Sequence, residues 1–589
     1  MNKLFITLTL LGAIAFGGCQ EGLPMPPKPD KEQGKEDNDK DKGDNKDDEG
    51  KWEEPQQTIV NGTVIAEQTN LYGTVTNPVT GEPIPNIVVS DGFNCVITDS
   101  NGVYQIVRNE NCEMVNISIP AEYEIPVDGG NQPAFYKRFV VDKAEKFRHD
   151  FTLKPLAGGK QSEFTLITLA DIQLYDTNDA DRFRDETMPD VDALAPTLVN
   201  PVAVTLGDDT GKNNTAMWVK VKQHCANRKV SIFHCMGNHD HLNELSPDDH
   251  SKATTYWKSV ENFHKYFGPQ NYSFSRSDTH IVVMDNALHG ETPPPGEDYE
   301  YAAGFFDWQF EWLKQDLSYV PKDNMILLCL HIPFRDGKGG NHSDERYRQK
   351  VLNLLSEYKE AHLLIGHTHK QINWIHTVNG KKIYEHIHGA VCGGMWHSTF
   401  CTDGTPNGYG VYHIKGNTLN DWYYKATGYD PDMQMRVYDG SQVFYDPRLS
   451  ANKTAKQNYF SSYTWGYSSG NIVANIWNLE HGDWDVTIWQ NGKQVATMSK
   501  LSAREWWVAY WFLEVYGTTS DSYQGSTKHL YKGKLADKSA PFTVRAVDKS
   551  GKRKTMECST LTTDFSEVYG DFNTKDMSRN PIPACEGEW

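Results

Sequence analysis

Five short apolar runs in the middle of the chain each end in a polar cluster. The clusters are Asp171-Ile172-Gln173, Gly207-Asp208-Asp209, Gly237-Asn238-His239-Asp240, His331-Ile332-Pro333 and Gly366-His367-Thr368-His369. Carboxylate and amide oxygens together with imidazole nitrogens form a ligand set for borderline divalent metal ions. One such residue after a strand is more often a turn former or an N-cap. Five clusters in succession favour a metal site that handles phosphate.

The elements that must position these clusters alternate between strand-like and helix-like segments. The strand-like runs are 164–170, 202–206, 230–236, 325–330 and 362–365, and the helix-like stretches are 214–228, 251–267, 305–317 and 345–359. This alternation predicts a largely parallel α/β sheet. Ligands of such sheets bind outside the carboxyl ends of the strands, where all five clusters fall. We therefore expect the clusters to meet at one edge.

In this order, the clusters resemble the calcineurin-like metallophosphoesterases, whose motifs are D-x-H, G-D, G-N-H-[DE], H and G-H-x-H. The resemblance covers residues 164 to about 427. It implies a four-layer αββα sandwich that uses two divalent ions, drawn from Mn, Fe, Zn and Mg. It assigns the first ion to Asp171, Gln173, Asp208 and His369. Asp208 bridges to a second ion, which is held by Asn238, His331 and His367.

The resemblance also implies a reaction. Two divalent ions roughly 3.5 to 4 Å apart can clamp a phosphate and lower the pKa of a bridging water, which gives the hydroxide nucleophile. His239 is not a ligand in the family, and we expect it to protonate the leaving oxygen or to stabilise charge on the phosphoryl group. Asp240 would orient that imidazole and favour its protonated form.

Gln173 is a departure from the family pattern, because a His is usual at this position. An amide oxygen is a weaker ligand than imidazole, so the first ion is expected to bind less tightly or to be harder, Mn or Mg rather than Zn. The segment 170–173 resembles the opening of the manganese-dependent ADP-ribose and CDP-alcohol diphosphatases. A degraded site with one functional metal is the alternative.

Loops beyond the last cluster carry further candidates. Segment 389–397, together with 403–409, resembles the end of the catalytic domain in bacterial members that have added N- and C-terminal domains. Trp396, His397 and Tyr409 are therefore candidates for contact with the leaving group of the substrate. Asp209 is expected to support Asp208 from behind, as metal ligands commonly require.

The segments that flank the catalytic domain, 160–427, read as β domains. Residues 58–157 contain short strands and turn signals, and they resemble the transthyretin-like, carboxypeptidase regulatory-like domain. Residues 428–589 also read as β-rich, with a hairpin signal at Asn491-Gly492. The aromatic segment 506–512 could stack on sugars, although a buried strand or a domain interface explains it equally well.

The N-terminus reads as an export signal. Residues 1–18 combine Lys3 with a short apolar run, and Phe16-Gly17-Gly18-Cys19 resembles a bacterial lipobox. Residues 19–57 are a charged tether with too few apolar residues to fold. We expect an exported protein, anchored by a lipid at Cys19 in the periplasm or on the cell surface; plain secretion is the alternative.

Composition limits the classes of function. The 589 residues carry a formal net charge of -20, which argues against general nucleic-acid binding. An exported chain permits disulfides, and Cys95 with Cys112 or Cys392 with Cys401 are plausible pairs.

The predicted function is hydrolysis of phosphate mono- or diesters on a small-molecule, glycan or lipid substrate. A nucleotide-type diphosphatase of the same family is one alternative. A cell-surface glycan-binding protein with an inactive phosphoesterase domain is another.

Overall fold

The structure is a computed structural model. It describes residues 57–139, 146–211, 215–241, 256–289, 301–335, 345–396, 398–440, 471–479, 484–505, 508 and 527–562. The predicted signal sequence, Cys19, nearly all of the tether and His397 lie outside these ranges. Within them, none of the helices has the length and apolar character needed to cross a membrane.

The described residues of the N-terminal domain contain ten short strands; eight form a β-sandwich and the first two form a separate two-stranded sheet. The strands are β1 Ile59–Val60, β2 Thr63–Val64, β3 Leu71–Thr76, β4 Val88–Ser90, β5 Cys95–Ile97, β6 Val103–Ile106, β7 Met114–Ile117, β8 Tyr136–Arg138, β9 Phe147–Arg148 and β10 Phe151–Thr152. One sheet contains β3, β6, β9 and β10, and the other runs β5-β4-β7-β8. Buried side chains such as Leu71, Val89 and Val115 fill the space between the sheets.

The central domain contains two larger sheets and seven helices. Its strands are β11 Glu163–Leu169, β12 Pro201–Thr205, β13 Ile232–Phe233, β14 Asn271–Arg276, β15 Thr279–Met284, β16 Ala287–His289, β17 Tyr301–Ala303, β18 Met325–Cys329, β19 Glu360–Ile365, β20 Ile372–Val378, β21 Lys381–Ile387, β22 Gly408–Lys415 and β23 Thr418–Ala426. Its helices are α1 Thr177–Arg182, α2 Met188–Leu194, α3 Thr215–Cys225, α4 Tyr256–Ser259, α5 Glu261–Tyr266, α6 Asp307–Ser318 and α7 Glu345–Leu355. A π-helical turn, Phe183–Thr187, joins α1 to α2.

The alternation predicted a largely parallel sheet, and the central domain contains two mixed sheets. Sheet one runs β13-β12-β11-β22-β23, and sheet two runs β14-β15-β18-β19-β21-β20. Strands β11 to β13 of sheet one pair in parallel, as do β15, β18, β19 and β21 of sheet two. In contrast, β22, β23, β14 and β20 pair in antiparallel fashion. Three of the five cluster-bearing runs therefore lie in sheet one and two in sheet two.

The alternation of side chains along the strands produces four layers. On β11, Leu166 points into the core between the two sheets, and its neighbour Ile167 points into the core beneath α1 to α5. On β18, Leu327 lies in the core between the sheets, whereas Leu328 packs under α6 and α7. The predicted αββα sandwich is therefore present.

A second β-sandwich follows the central domain. Its strands are β24 Met435–Asp439, β25 Asn471–Ile476, β26 Trp484–Gln490, β27 Lys493–Thr497, β28 Ser499–Ala503, β29 Thr527–Lys534, β30 Thr543–Asp548 and β31 Met556–Cys558. The sheets run β24-β25-β29-β28 and β27-β26-β30-β31. The predicted hairpin turn joins β26 to β27, with Asn491 and Gly492 at φ 50° and 73°. Of the aromatic segment 506–512, only Val508 is described, and it is buried.

Both β domains pack against the central domain. Ser275 of β14 donates its backbone N–H to the carbonyl of Ile119, 2.8 Å away. The indole N–H of Trp312 on α6 donates to Ser90 Oγ at 2.9 Å. Arg553 of the C-terminal domain donates to the carbonyl of Trp422 on β23 at 2.8 Å. These buried contacts hold the N- and C-terminal domains on the sandwich.

Candidate metal centre

The predicted ligands follow the carboxyl ends of strands from both sheets. Sheet one supplies Asp171, Asp208 and Asn238, and sheet two supplies His331 and His367. The five clusters therefore meet, as expected, but between two sheets rather than along the edge of one.

Four potential ligand atoms form one compact group. Asp208 Oδ2 lies 3.1 Å from His331 Nε2, which lies 3.2 Å from His367 Nδ1. Asn238 Oδ1 lies 3.1 Å from the same His367 nitrogen. Ligand atoms about 2.1 Å from an ion lie about 3.0 to 3.4 Å from their neighbours. This group therefore fits one divalent ion, and it contains the residues predicted for the second ion.

The residues predicted for the first ion also lie close to Asp208 or to one another. Gln173 Nε2 donates to Asp208 Oδ2 at 3.1 Å, and His369 Nε2 lies 3.3 Å from Asp171 Oδ1. The amide nitrogen of Gln173 faces the carboxylate, and a half-turn of the amide would present its oxygen instead. Asp208 Oδ2 thus contacts members of both predicted ligand sets.

The backbone at the ligands adopts the left-handed conformation, which side chains rarely permit. The φ angles are 53° at Asp171, 54° at Asp208, 74° at His367 and 50° at His369. Such strain persists only where the surroundings fix the chain, and it clusters at functional sites. Here both carboxylate oxygens of Asp171 accept the His367 N–H at 3.0 Å. The strain supports a functional role for these turns.

Two glycines allow the turns to approach one another. A Cβ at Gly237 would lie 2.2 Å from Asp208 Oδ1, and one at Gly207 would lie 2.6 Å from His331 Nδ1. Gly207 also has a φ of 85°. The glycines of the two motifs are therefore required by the close packing of the ligand side chains.

Hydrogen bonds and charge prepare His331 as a ligand. Its Nδ1–H donates to the Leu206 carbonyl at 2.8 Å, which directs Nε2 towards Asp208. Burial disfavours the charged imidazole, but the neighbouring Asp208 carboxylate outweighs it and raises the pKa of His331 to about 9. Burial likewise opposes ionisation of Asp208, yet His331 and His239 hold its pKa well below the ordinary value. A proton therefore occupies the cluster where an ion would supply positive charge.

The predicted catalytic pair occupies different environments. The His239 side chain is 23% exposed, and its Nε2 lies 4.0 Å from Asp208 Oδ2. The Asp240 carboxylate is buried and accepts N–H groups from Gly237, Asp209 and Thr210 at 2.9 to 3.1 Å. Asp240 thus connects the turn after Asp208 to its own turn, which begins at Gly237. Its role towards the His239 imidazole stays a prediction.

Asp209 pairs with a histidine rather than with the ligands. Its Oδ2 lies 2.6 Å from His234 Nδ1, and both side chains are buried. Its backbone N–H, in contrast, bonds Asp240. Asp209 therefore supports the Asp208 turn through the backbone.

Two of the three predicted substrate contacts lie in packed surroundings. Trp396 is 3% exposed, donates its indole N–H to the Ile172 carbonyl at 2.7 Å and packs under the Arg182 guanidinium. Tyr409 is fully buried and donates to Asp190 at 2.5 Å. Long-range contacts bury both rings, and their contact with a leaving group stays a prediction. His397 lies outside the described residues.

Sequence reasoning missed the position of Cys392. All eight cysteines in the described ranges are free thiols. The two plausible pairs, Cys392 with Cys401 and Cys95 with Cys112, are therefore not disulfides in this structure. The Cys392 sulfur lies 3.9 Å from both His369 Nδ1 and Gln173 Oε1. No local pattern signals the contact with Gln173, because the two residues are 219 positions apart along the chain.

Solved structures that match part of this chain share little sequence with it. A purple acid phosphatase from yellow lupin is 12% identical over 46% of this chain and 52% of its own, with a TM-score of 0.32. A putative 5'-nucleotidase from Staphylococcus aureus is 11% identical over 51% of this chain and 59% of its own, with a TM-score of 0.26. A 5'-nucleotidase from Candida albicans is 12% identical over 43% of this chain and 47% of its own, with a TM-score of 0.26. The chain thus spans about half the length of each of these structures. No curated protein matches it.

Three family models match the chain in succession. They describe the N terminal of calcineurin-like phosphoesterase at residues 69–156, calcineurin-like phosphoesterase at 164–371 and the C terminal of calcineurin-like phosphoesterase at 385–553. These matches confirm the predicted family, fold class and metallophosphoesterase class. The chain belongs to the calcineurin-like phosphoesterase family.

Proposed function

We propose that this protein hydrolyses phosphate mono- or diesters with the help of two divalent metal ions. The observation that carries the proposal is the position of Asp208 Oδ2. This one oxygen lies 3.1 Å from His331 Nε2 and 3.1 Å from the Gln173 amide nitrogen. A carboxylate oxygen shared between two ligand sets is the arrangement that holds a pair of ions close together.

The residues present fit such ions. The second ion would bind Asp208, Asn238, His331 and His367, and the first would bind Asp171, Gln173, Asp208 and His369. When bound, the ions would act as Lewis acids on the phosphate and would activate a water molecule. The oxygen-rich first set favours a harder ion such as Mn or Mg, and the second set would also accept Fe or Zn.

The side chains of the protein prepare the site for this reaction. The Leu206 carbonyl accepts the Nδ1–H of His331, so that Nε2 is the ring nitrogen that would bind an ion after losing its proton. The His239 imidazole is partly exposed beside Asp208, where it can reach an incoming substrate. We assign it the transfer of a proton to the leaving oxygen, which contributes typically about 10²- to 10⁴-fold to a rate.

A nucleotide-type diphosphatase is the second candidate. The amide of Gln173 beside the shared oxygen favours it, because the manganese-dependent diphosphatases that segment 170–173 resembles carry glutamine here. The two candidates share the metal chemistry and differ in the leaving group. The substrate is in either case a phosphorylated small molecule, glycan or lipid.

The test is hydrolysis by the purified protein after removal and return of metal. Chromogenic monoester, diester and ADP-ribose substrates would be compared with Mn²⁺ added. Asp208→Asn is expected to abolish turnover, and His239→Ala is expected to lower kcat by about 10²-fold or more. Asp278→Asn is the matched control, because that carboxylate forms an ion pair with Lys160 in which both side chains are exposed.

Three results would decide against parts of this proposal. Absence of bound metal and of turnover with every ion would reject the enzyme, and glycan binding that survives chelation would then favour the glycan-binding alternative. Unchanged turnover in both site variants would reject the residue assignment. Preference for ADP-ribose over both chromogenic esters would favour the diphosphatase.

We further propose that the protein is exported and carries a lipid at Cys19. The support is the sequence of residues 1–18 and the Gly17-Gly18-Cys19 ending. Metabolic labelling with palmitate is expected to label the wild-type protein and not Cys19→Ala. Equal labelling of both proteins, or none of either, would contradict the anchor.

A further inference from the structure

A buried polar network connects the C-terminal domain to the turn that carries His367 and His369. Its centre is Asp403, which is 3% exposed. Asp403 Oδ2 accepts the backbone N–H of Gln371 at 2.8 Å and lies 3.0 Å from His529 Nε2. His529 belongs to β29, so one carboxylate oxygen touches both the ligand-bearing segment and the C-terminal domain.

The C-terminal domain holds Asp403 at its backbone as well. The Asp403 carbonyl accepts Asn475 Nδ2 at 3.2 Å and the Thr527 hydroxyl at 3.1 Å. The other nitrogen of the His529 ring lies 2.6 Å from Asn475 Oδ1. Asn475 is on β25 and Thr527 is on β29, so two neighbouring strands fix this one aspartate.

Gln371 links Asp403 to the turns that carry the predicted ligands. Its backbone N–H is two residues beyond His369, and its side-chain Oε1 accepts the Gly389 N–H at 3.0 Å. The segment after Gly389 donates the Cys392 N–H to the carbonyl of Asp171 at 3.2 Å. The network therefore reaches the His369 turn directly and the Asp171 turn through one further segment.

The His367–His369 turn requires such support, because its backbone is strained. His367 and His369 have φ angles of 74° and 50°. A conformation of this kind is energetically costly and persists only when neighbouring groups fix it. Asp171 holds the N-terminal end of the turn at His367 N, and Asp403 holds the C-terminal end at Gln371 N.

We propose that the C-terminal domain positions the metal ligands His367 and His369 through His529 and Asp403. The two side chains are positioning residues that raise the affinity of the centre for its ions. This inference rests on the proposed metal centre. It gives the C-terminal domain a part in metal binding in addition to its packing.

The test compares Mn²⁺ binding by full-length variants, measured by calorimetry, with thermal melts on the same samples. His529→Ala is expected to weaken Mn²⁺ binding about tenfold, in the range known for groups that orient metal ligands. His529→Gln retains a donor for Asp403 and is expected to recover most of the affinity. Thr527→Val removes one bond to the Asp403 carbonyl at nearly constant volume, so it tests the same network if His529→Ala fails to fold.

His280→Ala is the matched control. His280 Nε2 lies 2.8 Å from Asp316 Oδ2 in a buried pair between β15 and α6. It should lower the melting temperature as His529→Ala does, yet leave Mn²⁺ affinity unchanged.

Wild-type affinity in both His529→Ala and Thr527→Val would overturn the inference, as would an equal loss in His280→Ala. Failure of the wild-type protein itself to bind Mn²⁺ would instead overturn the proposed centre, and the inference with it.

Discussion

At the scale of single residues, the buried Asp208 carboxylate determines how the site behaves. It is 1% exposed, and burying a charge is costly unless a partner of opposite charge lies close by. Without an ion, the partner is the protonated imidazole of His331, whose Nε2 lies 3.1 Å from Asp208 Oδ2. An ion would take over that role, so metal binding must displace this proton.

Metal affinity is therefore expected to rise with pH. Only the neutral imidazole of His331 can bind an ion, and its pKa in the metal-free protein is about 9. Below that value, each lower pH unit should weaken apparent Mn²⁺ affinity by up to about tenfold. Calorimetry in buffers of different ionisation enthalpy should show about one proton released per ion at neutral pH. Affinity that is constant across this range would contradict the protonation of His331.

Gln173 is expected to govern which ion the first set prefers. Gln173→His supplies an imidazole beside Asp208, and imidazole binds Zn²⁺ better than an amide oxygen does. Affinity for Zn²⁺ should rise by about tenfold or more while affinity for Mn²⁺ changes less. Metal competition followed by elemental analysis measures both. Gln105→His in the N-terminal domain is the control, and an equal gain of zinc there would indicate adventitious binding.

At the scale of elements, the turns after the strands do the positioning, and their glycines set how closely they approach. Gly237 follows β13 and packs against Asp208, which follows β12. Its φ of -114° is available to any residue, so the requirement for glycine here is one of space rather than of backbone freedom.

Gly237→Ala is thus expected to displace Asp208. The added methyl group would lie 2.2 Å from Asp208 Oδ1, and such overpacking costs typically about 1 to 3 kcal/mol of stability. Mn²⁺ affinity should fall by about tenfold or more. Gly129→Ala is the control, because a Cβ there meets no atom within 4 Å. Chemical denaturation and metal titration of both variants test the expectation, and similar behaviour of the two would contradict it.

The elements also indicate how far the sequence could predict this molecule. The run 325–330 and the stretch 305–317 correspond closely to β18 and α6, because the first is a short continuous apolar run and the second has apolar residues at helical spacing. The stretch 251–267 was predicted as one helix, and its described part contains two short ones, α4 and α5. The motifs predicted which side chains gather. The alternation of strands and helices did not predict their division between two sheets, because this depends on pairing between distant strands; only the family resemblance implied it.

The burial of Trp396 and Tyr409 was unpredictable for the same reason. Their partners, Ile172 and Asp190, lie more than 200 residues away along the chain. Loop sequence gives the residue types near a site, but long-range packing decides which of them face a ligand.

At the scale of the whole molecule, Arg553 is a main contact between the C-terminal domain and the sandwich. Its guanidinium carbon lies 4.2 Å from the centre of the Trp422 ring on β23 and 4.9 Å from that of Trp484 on β26. It donates to the carbonyls of Trp422 and Asn478, each at 2.8 Å. The side chain is only 7% exposed, so water cannot replace these contacts.

Arg553→Ala should therefore weaken the docking of the C-terminal domain. Loss of the cation–π contacts and two carbonyls left without a donor should cost about 2 to 4 kcal/mol. Arg545→Ala is the control: Arg545 also lies over a tryptophan, Trp489 at 4.7 Å, and pairs with Glu557, but its side chain is 36% exposed. Such an exposed pair contributes at most about 1 kcal/mol. Scanning calorimetry should show a lowered or separate unfolding transition for Arg553→Ala alone. Equal shifts of the melting temperature in both variants would mean that Arg553 stabilises the C-terminal β-sandwich itself rather than its docking.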